Sequence, residues 1–167
     1  MPAGATYEPI ATASVSGTTT TTFSSISSSF TDLIVVCQAK YDSGVGTLQM
    51  RLNGDTSTIY SRTLLIGDGS TATSSRSGTL QSFNLTGGAA LSTTEFQFVK
   101  VHLMSYAGST NKTALAEHSG DLNGSGRVGR YVFLWASTAA INSITLFTNG
   151  GNFSTGTTFT LYGIKAA

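Results

Sequence analysis

Charge, cysteine, histidine and long apolar runs are all scarce in this chain. Nine Lys and Arg against eight Asp and Glu leave 167 residues with a formal charge of +1. The cations are scattered, so the basic stripe that usually advertises a nucleic-acid-binding surface is missing. A single cysteine cannot close an internal disulfide, which excludes a disulfide-built secreted scaffold. The longest apolar stretches run to about five residues, against the roughly 20 that a membrane-crossing helix needs. The opening Met1-Pro2-Ala3-Gly4-Ala5 has neither a cationic leader nor an apolar run, and so predicts cytoplasmic synthesis without a secretory signal. Two histidines, one cysteine and eight carboxylates are a thin supply for catalysis or metal binding.

In their place stand 27 threonines, 23 serines and 19 glycines. Such polar compositions border on disorder, but 40% hydrophobic residues, with nine Phe, six Tyr and one Trp, supply enough buriable surface to fold. The length fits one domain, because two halves would each fall near the size, ~70–80 residues, at which a core needs staples. Threonine is β-branched and keeps a hydroxyl in water, so it suits the wet face of a strand, while Ser and Gly suit turns. A neutral polar sheet surface has weak self-repulsion and weak long-range steering, which fits a static multicopy assembly better than capture of a charged ligand.

No window of ten residues repeats the helical i, i+3, i+4, i+7 pattern. Strand alternation is widespread. Leu48, Met50 and Leu52 alternate with Gln49, Arg51 and Asn53, after which Asn53-Gly54-Asp55 supplies turn chemistry. Val99, Val101 and Leu103 alternate with Lys100, His102 and Met104, while Phe96 and Phe98 sit on the opposite parity and predict a bulge or, second to it, burial of both faces. The β-branched run 33–37 reads as a central strand covered on both sides. Further strands are predicted near 11–16, 19–26, 59–66, 79–86, 113–118, 131–135, 143–148 and 157–164, separated by Gly-, Asn- and Asp-rich loops. Ten or eleven strands without a 20–50-residue repeat predict an all-β antiparallel sandwich or barrel. Residues 1–17, with only Tyr7, Ile10 and Val15 as anchors, read as a loose N-terminal arm ahead of a single domain over 18–167, and the terminal strand is predicted to lock into the sheet.

The chemical inventory favours packing over catalysis. His102 lies on the polar parity of its strand. Glu117, His118, Ser119 and Asp121 place an acid, an imidazole and a hydroxyl in sequence, but neighbours on a strand point to opposite faces, so the adjacency does not make a triad. Cys37 lies inside an apolar run, as a small hydrophobe. Asp121, Asn123 and Ser125 followed by Gly126 are the weak candidates for a cation loop, yet Val132 stands where the closing bidentate Glu belongs. No cofactor and no catalytic residue is assigned. Tyr131, Phe133 and Trp135 share one parity and read as core or interface, whereas Tyr41, Tyr60, Tyr106 and Tyr162 border turns, where one or two are candidates to line a glycan groove.

The C-terminal third, Trp135-Ala136-Ser137-Thr138-Ala139-Ala140-Ile141-Asn142-Ser143-Ile144-Thr145-Leu146 and then Phe159-Thr160-Leu161-Tyr162-Gly163-Ile164, resembles the ending of a diffuse group of tailed-bacteriophage virion proteins. Thr31-Asp32-Leu33-Ile34-Val35-Val36 and Leu48-Gln49-Met50-Arg51-Leu52-Asn53-Gly54-Asp55 resemble the same group, so the likeness spans roughly residues 18 to 166. It implies a β-sandwich of jelly-roll type and a non-enzymatic place in the virion. The implied role is capsid cement or decoration on the outer capsid surface, synthesised in the host cytoplasm and bound to the major capsid protein as a homo-oligomer, with a trimer favoured. Tyr7 and Ile10 are the expected apolar anchors of the arm on the capsid. No nucleic acid and no membrane is expected as partner. The rival within virions is a tail-fibre or baseplate module that holds host glycan, and the rival outside them is a polysaccharide hydrolase, which requires a pair of carboxylates roughly 5–10 Å apart in one cleft.

Overall fold

A computed structural model of the chain describes residues 6–122 and 124–165, and among them the regular structure consists of twelve strands. In chain order these are β1 (Tyr7–Val15), β2 (Thr20–Phe23), β3 (Asp32–Ala39), β4 (Leu48–Leu52), β5 (Tyr60–Gly67), β6 (Ala72–Leu80), β7 (Phe83–Asn84), β8 (Gln97–Met104), β9 (Lys112–Asp121), β10 (Gly126–Trp135), β11 (Ile144–Thr148) and β12 (Thr157–Ile164). They form two antiparallel sheets in a sandwich-like arrangement. The larger has the order β1-β12-β3-β8-β9-β10-β5-β6 and the smaller β2-β11-β4-β7.

The core is the contact between the sheets, and period-two alternation fills it. Leu33, Val35 and Cys37 of β3, Val99, Val101 and Leu103 of β8, and Phe159 and Leu161 of β12 face Leu48, Met50 and Leu52 of β4 and Ile144 and Leu146 of β11. One end is filled by rings. Phe83 stacks on Phe133 at 4.6 Å between centroids and meets Tyr60 edge-on at 5.1 Å, and Tyr60 in turn lies against Trp135. The polar tips of this cluster are satisfied: Trp135 Nε1 donates to Asp55 Oδ2 at 2.8 Å, and the Tyr60 hydroxyl accepts from the Leu52 amide at 3.2 Å. Asp55 is in place because the turn at Asn53-Gly54 takes two positive φ values, 51° and 66°, closed by the Asp55 amide on the Leu52 carbonyl.

Threonine behaves as its chemistry suggests. Thr12 and Thr160 are cross-strand neighbours whose hydroxyls bond at 3.1 Å, and Thr22 and Thr145 do the same at 3.0 Å on the smaller sheet.

Three expectations are corrected. The segment expected to be a loose arm is ordered from Tyr7 to Val15 as β1, an edge strand paired along β12 from Tyr7↔Ile164 to Val15↔Thr157, with its one irregularity between Pro9 and Ala11. Its apolar residues are few because an edge strand contributes only one half-covered face, with Ile10, Ala11, Ala13 and Val15 resting on the core. No bulge breaks β8: its register with β3 and β9 runs unshifted from Phe98 to Leu103, and Phe98 stands on the outer face, with Phe96 lying ahead of the strand. The strand expected at 79–86 is instead the last two residues of β6 and the two-residue β7, while most of β6 was not anticipated. Residues 72–76 are exposed on both faces, so no apolar alternation marks them.

Candidate functional site

Two regions carry side chains that the core does not explain. The first is the outer face of the large sheet. Leu65 on β5, Leu115 on β9, Val128 and Val132 on β10 and Phe98 on β8 leave between 42 and 61% of their surface in water. The register makes them neighbours: Leu115 pairs with Val132, Leu65 sits opposite Arg130 between Val128 and Val132, and Phe98 lies one strand beyond Ser119 from Val128. Together they form an exposed apolar patch, a feature that is often functional on a protein surface. A charged row crosses the patch, in which Glu117 lies 3.0 Å from Arg130 and 3.6 Å from Lys100. His102, on the same face, bonds Asp32 at 2.8 Å.

The second region is a cleft of about 440 Å³ at the end of the sheet where the β5–β6 and β9–β10 turns meet the segment ahead of β8. Its floor is a buried polar chain. Gln97 Nε2 donates to the Ala90 carbonyl at 3.2 Å, so Gln97 Oε1 is turned to accept from His118 Nε2 at 2.9 Å; His118 Nδ1 is thereby left as acceptor for the Tyr131 hydroxyl at 3.5 Å. Gly129 makes room for that hydroxyl, since a Cβ there would lie 2.2 Å from it. Burial, and then the positive charge of Arg127, push the His118 imidazole down to about 4.

On the cleft wall Asp68 accepts from the Ser70 amide at 3.0 Å and the Thr71 amide at 2.8 Å, and these bonds hold its carboxyl well below the usual carboxylate range. At neutral pH the imidazole is therefore uncharged and the carboxylate is locked as an anion. A glycosidase acid requires the opposite, a carboxyl raised toward neutrality. Cys37 is fully buried and its thiol is pushed up by burial, away from the nucleophilic thiolate.

The other candidates are placed as follows. Asp121 ends β9 and Ser125 lies in the following turn, where its carbonyl accepts from the Leu122 amide at 2.7 Å, while Asn123 falls outside the described residues. Among the described residues no group of three or more His, Cys, Asp and Glu is placed to hold a metal ion. Tyr7 is exposed at the start of β1, and Ile10 is half-buried against the core. Tyr41, Tyr60 and Tyr106 are fully buried, which removes three of the four tyrosines offered to a glycan groove; the Tyr106 hydroxyl is consumed by the Ser27 carbonyl. His102 points outward as its parity required, and Tyr131, Phe133 and Trp135 share the core face.

The exposed apolar face was not picked out from the sequence, although a signal was present. In 128–135 and 114–116 both parities are apolar, so each strand had to turn hydrophobic residues outward. No protein-family model, no curated protein and no solved structure matches the chain.

Proposed function

We propose that this chain is a non-enzymatic structural protein of a tailed-phage virion, a jelly-roll building block that decorates the outer capsid surface in many copies. It works by laying sheet surface against the major capsid protein and against other copies of itself. The observation that carries this reading is the apolar outer face of the large sheet, which an isolated molecule leaves in water.

Strand pairing supports the jelly-roll part. With the hairpins β5–β6 and β9–β10 set aside, the remaining eight strands pair first with last and so inward: β1 with β12, β2 with β11, β3 with β8 and β4 with β7. That is the ladder of one long hairpin rolled into two four-stranded sheets. The two extra hairpins widen only the large sheet, on its β8 side, and they carry Leu65, Leu115, Val128 and Val132 of the exposed outer face. Burial of Cys37 in the core and the Asp68 carboxylate's bonds to the Ser70 and Thr71 amides leave neither group as an activated nucleophile or acid, which is consistent with a non-catalytic role. The virion setting rests on the likeness of residues 18 to 166 to phage structural proteins.

The test is binding to capsids of the encoding phage that have been stripped of accessory proteins. Saturable binding, with the shell more resistant to heat once loaded, is the expected result. Capsids that sediment free of the protein at saturating concentration would overturn the proposal.

A further inference from the structure

We infer that the outer face formed by β8, β9, β10 and β5 is an interface with a second copy of this chain, the two copies related by a two-fold axis that runs parallel to the strands between β9 and β10. The inference deepens the building-block reading and rests on it, because it names the partner of the face that carries that reading.

The register decides the geometry. Outward-facing residues line up across the sheet in rows, and the central row reads Lys100, Glu117, Arg130, Leu65. One step along the strands lie Leu115 and Val132, and one step the other way lie Phe98 on β8 and Gly67 on β5. Turning a copy about the stated axis lays its β9 over β10 and its β8 over β5, with the rows kept in step. Glu117 then faces Arg130 of the second copy, and Arg130 faces Glu117 of the second copy. Leu115 meets Val132 of the second copy in the same way.

The pairing also supplies a knob and a hole. Gly67 has no side chain, and its row position lies in an apolar groove of about 310 Å³ walled by Leu65, Ala72 and Val128. The two-fold brings Phe98 of the second copy onto that groove. Face-packed sheets cross at about 30°, which slides pairs lying ~7 Å from the axis by ~4 Å, or about one residue. The Phe98 ring therefore stays over the groove or its rim.

Charge selects this axis over its competitor. A two-fold in the same plane but running across the strands would stack Glu117 on Glu117, Arg130 on Arg130 and Lys100 on Lys100, and like charges placed face to face are strongly disfavoured. The area is adequate as well. Four strands of about eight residues span roughly 19 by 26 Å, on the order of 500 Å² of plane before side-chain relief is added. A standard interface takes about 800 Å² of accessible surface from each partner, a size that the relief and the flanking β3 and β6 bring within reach. An isologous face closes on itself, so it yields a dimer where the family resemblance favoured a trimer.

Sedimentation equilibrium of the full chain at micromolar concentration tests the interface. The wild-type protein should sediment as a dimer, and Val132→Lys as a monomer with a cooperative melt. Leu115→Lys is the second variant should Val132→Lys fail to fold. Glu117→Arg should weaken the dimer by at least about tenfold, and the exchange Glu117→Arg with Arg130→Glu should bring it back to near the wild-type constant. A wild-type monomer, a trimer, a dimer indifferent to Val132→Lys, or an exchange that fails to recover would each overturn the inference. A monomer that still loads onto capsids would sink the self-interface alone, whereas a dimer that never loads would sink the decoration reading.

Discussion

Lowering the pH from 7 to 5 protonates His118 in the unfolded chain but not in the folded one. The unfolded imidazole titrates near 6.5 and the folded one near 4, because burial and then the charge of Arg127 oppose protonation. Between those values the unfolded state binds the extra proton, so the stabilisation is present above pH 6.5 and is lost as the pH falls through the window. The whole gap corresponds to roughly 3 kcal/mol, of which about 2 kcal/mol should disappear between pH 7 and pH 5. Asp68 does not confuse the measurement, since a carboxyl held below its ordinary value loses its contribution only in stronger acid. Urea unfolding at pH 7, 6 and 5 on the wild type and on His118→Gln gives the number directly, because the difference between the two proteins isolates the imidazole. A wild-type midpoint unchanged at pH 5, or an equal decline in His118→Gln, would refute the neutral relay from Gln97 through His118 to Tyr131.

Other outcomes follow from the core and the edge. Phe83→Ala removes the ring shared by Tyr60 and Phe133 and should cost about 3–5 kcal/mol in chemical denaturation. Cys37 should resist thiol reagents in the native state and react at the rate of global unfolding. Deleting residues through Val15 should lower the melting temperature, because it strips β1 from β12 and unpairs Lys165 from Glu8; an unchanged melt would restore the loose-arm reading.

What was legible in the sequence was whatever one buried face imposes. Leu48, Met50 and Leu52, or Val99, Val101 and Leu103, announce their strands because alternate residues meet the opposite sheet. The Asn53-Gly54 turn is legible because few other pairs accept two successive positive φ values. β6 was illegible for the converse reason: both of its faces are wet, so residues 72–76 carry no alternation and resemble a loop. Only the second half of β1 was legible, as the strand expected near 11–16, because an edge strand buries little. Phe98 misled because parity reports burial, and an aromatic ring turned outward imitates a change of register.

The cleft lay beyond sequence reasoning for another reason. Gln97, His118 and Tyr131 are 13 to 34 positions apart, and only the β8–β9–β10 meander brings their polar tips together. The outer apolar face was half legible, since both parities of 128–135 are hydrophobic, but assigning it to solvent required knowing that the smaller sheet has only four strands.

The central claim is that this chain is a repeated structural part of a phage particle. Quantitative mass spectrometry of purified intact virions of the phage proposed to encode it, calibrated against the major capsid protein, tests it most directly. The account predicts the chain in the particle at on the order of hundreds of copies, in a fixed ratio to the capsid protein as symmetric decoration requires. Its absence from the particle, or its presence in only a few copies at the tail, would contradict the account.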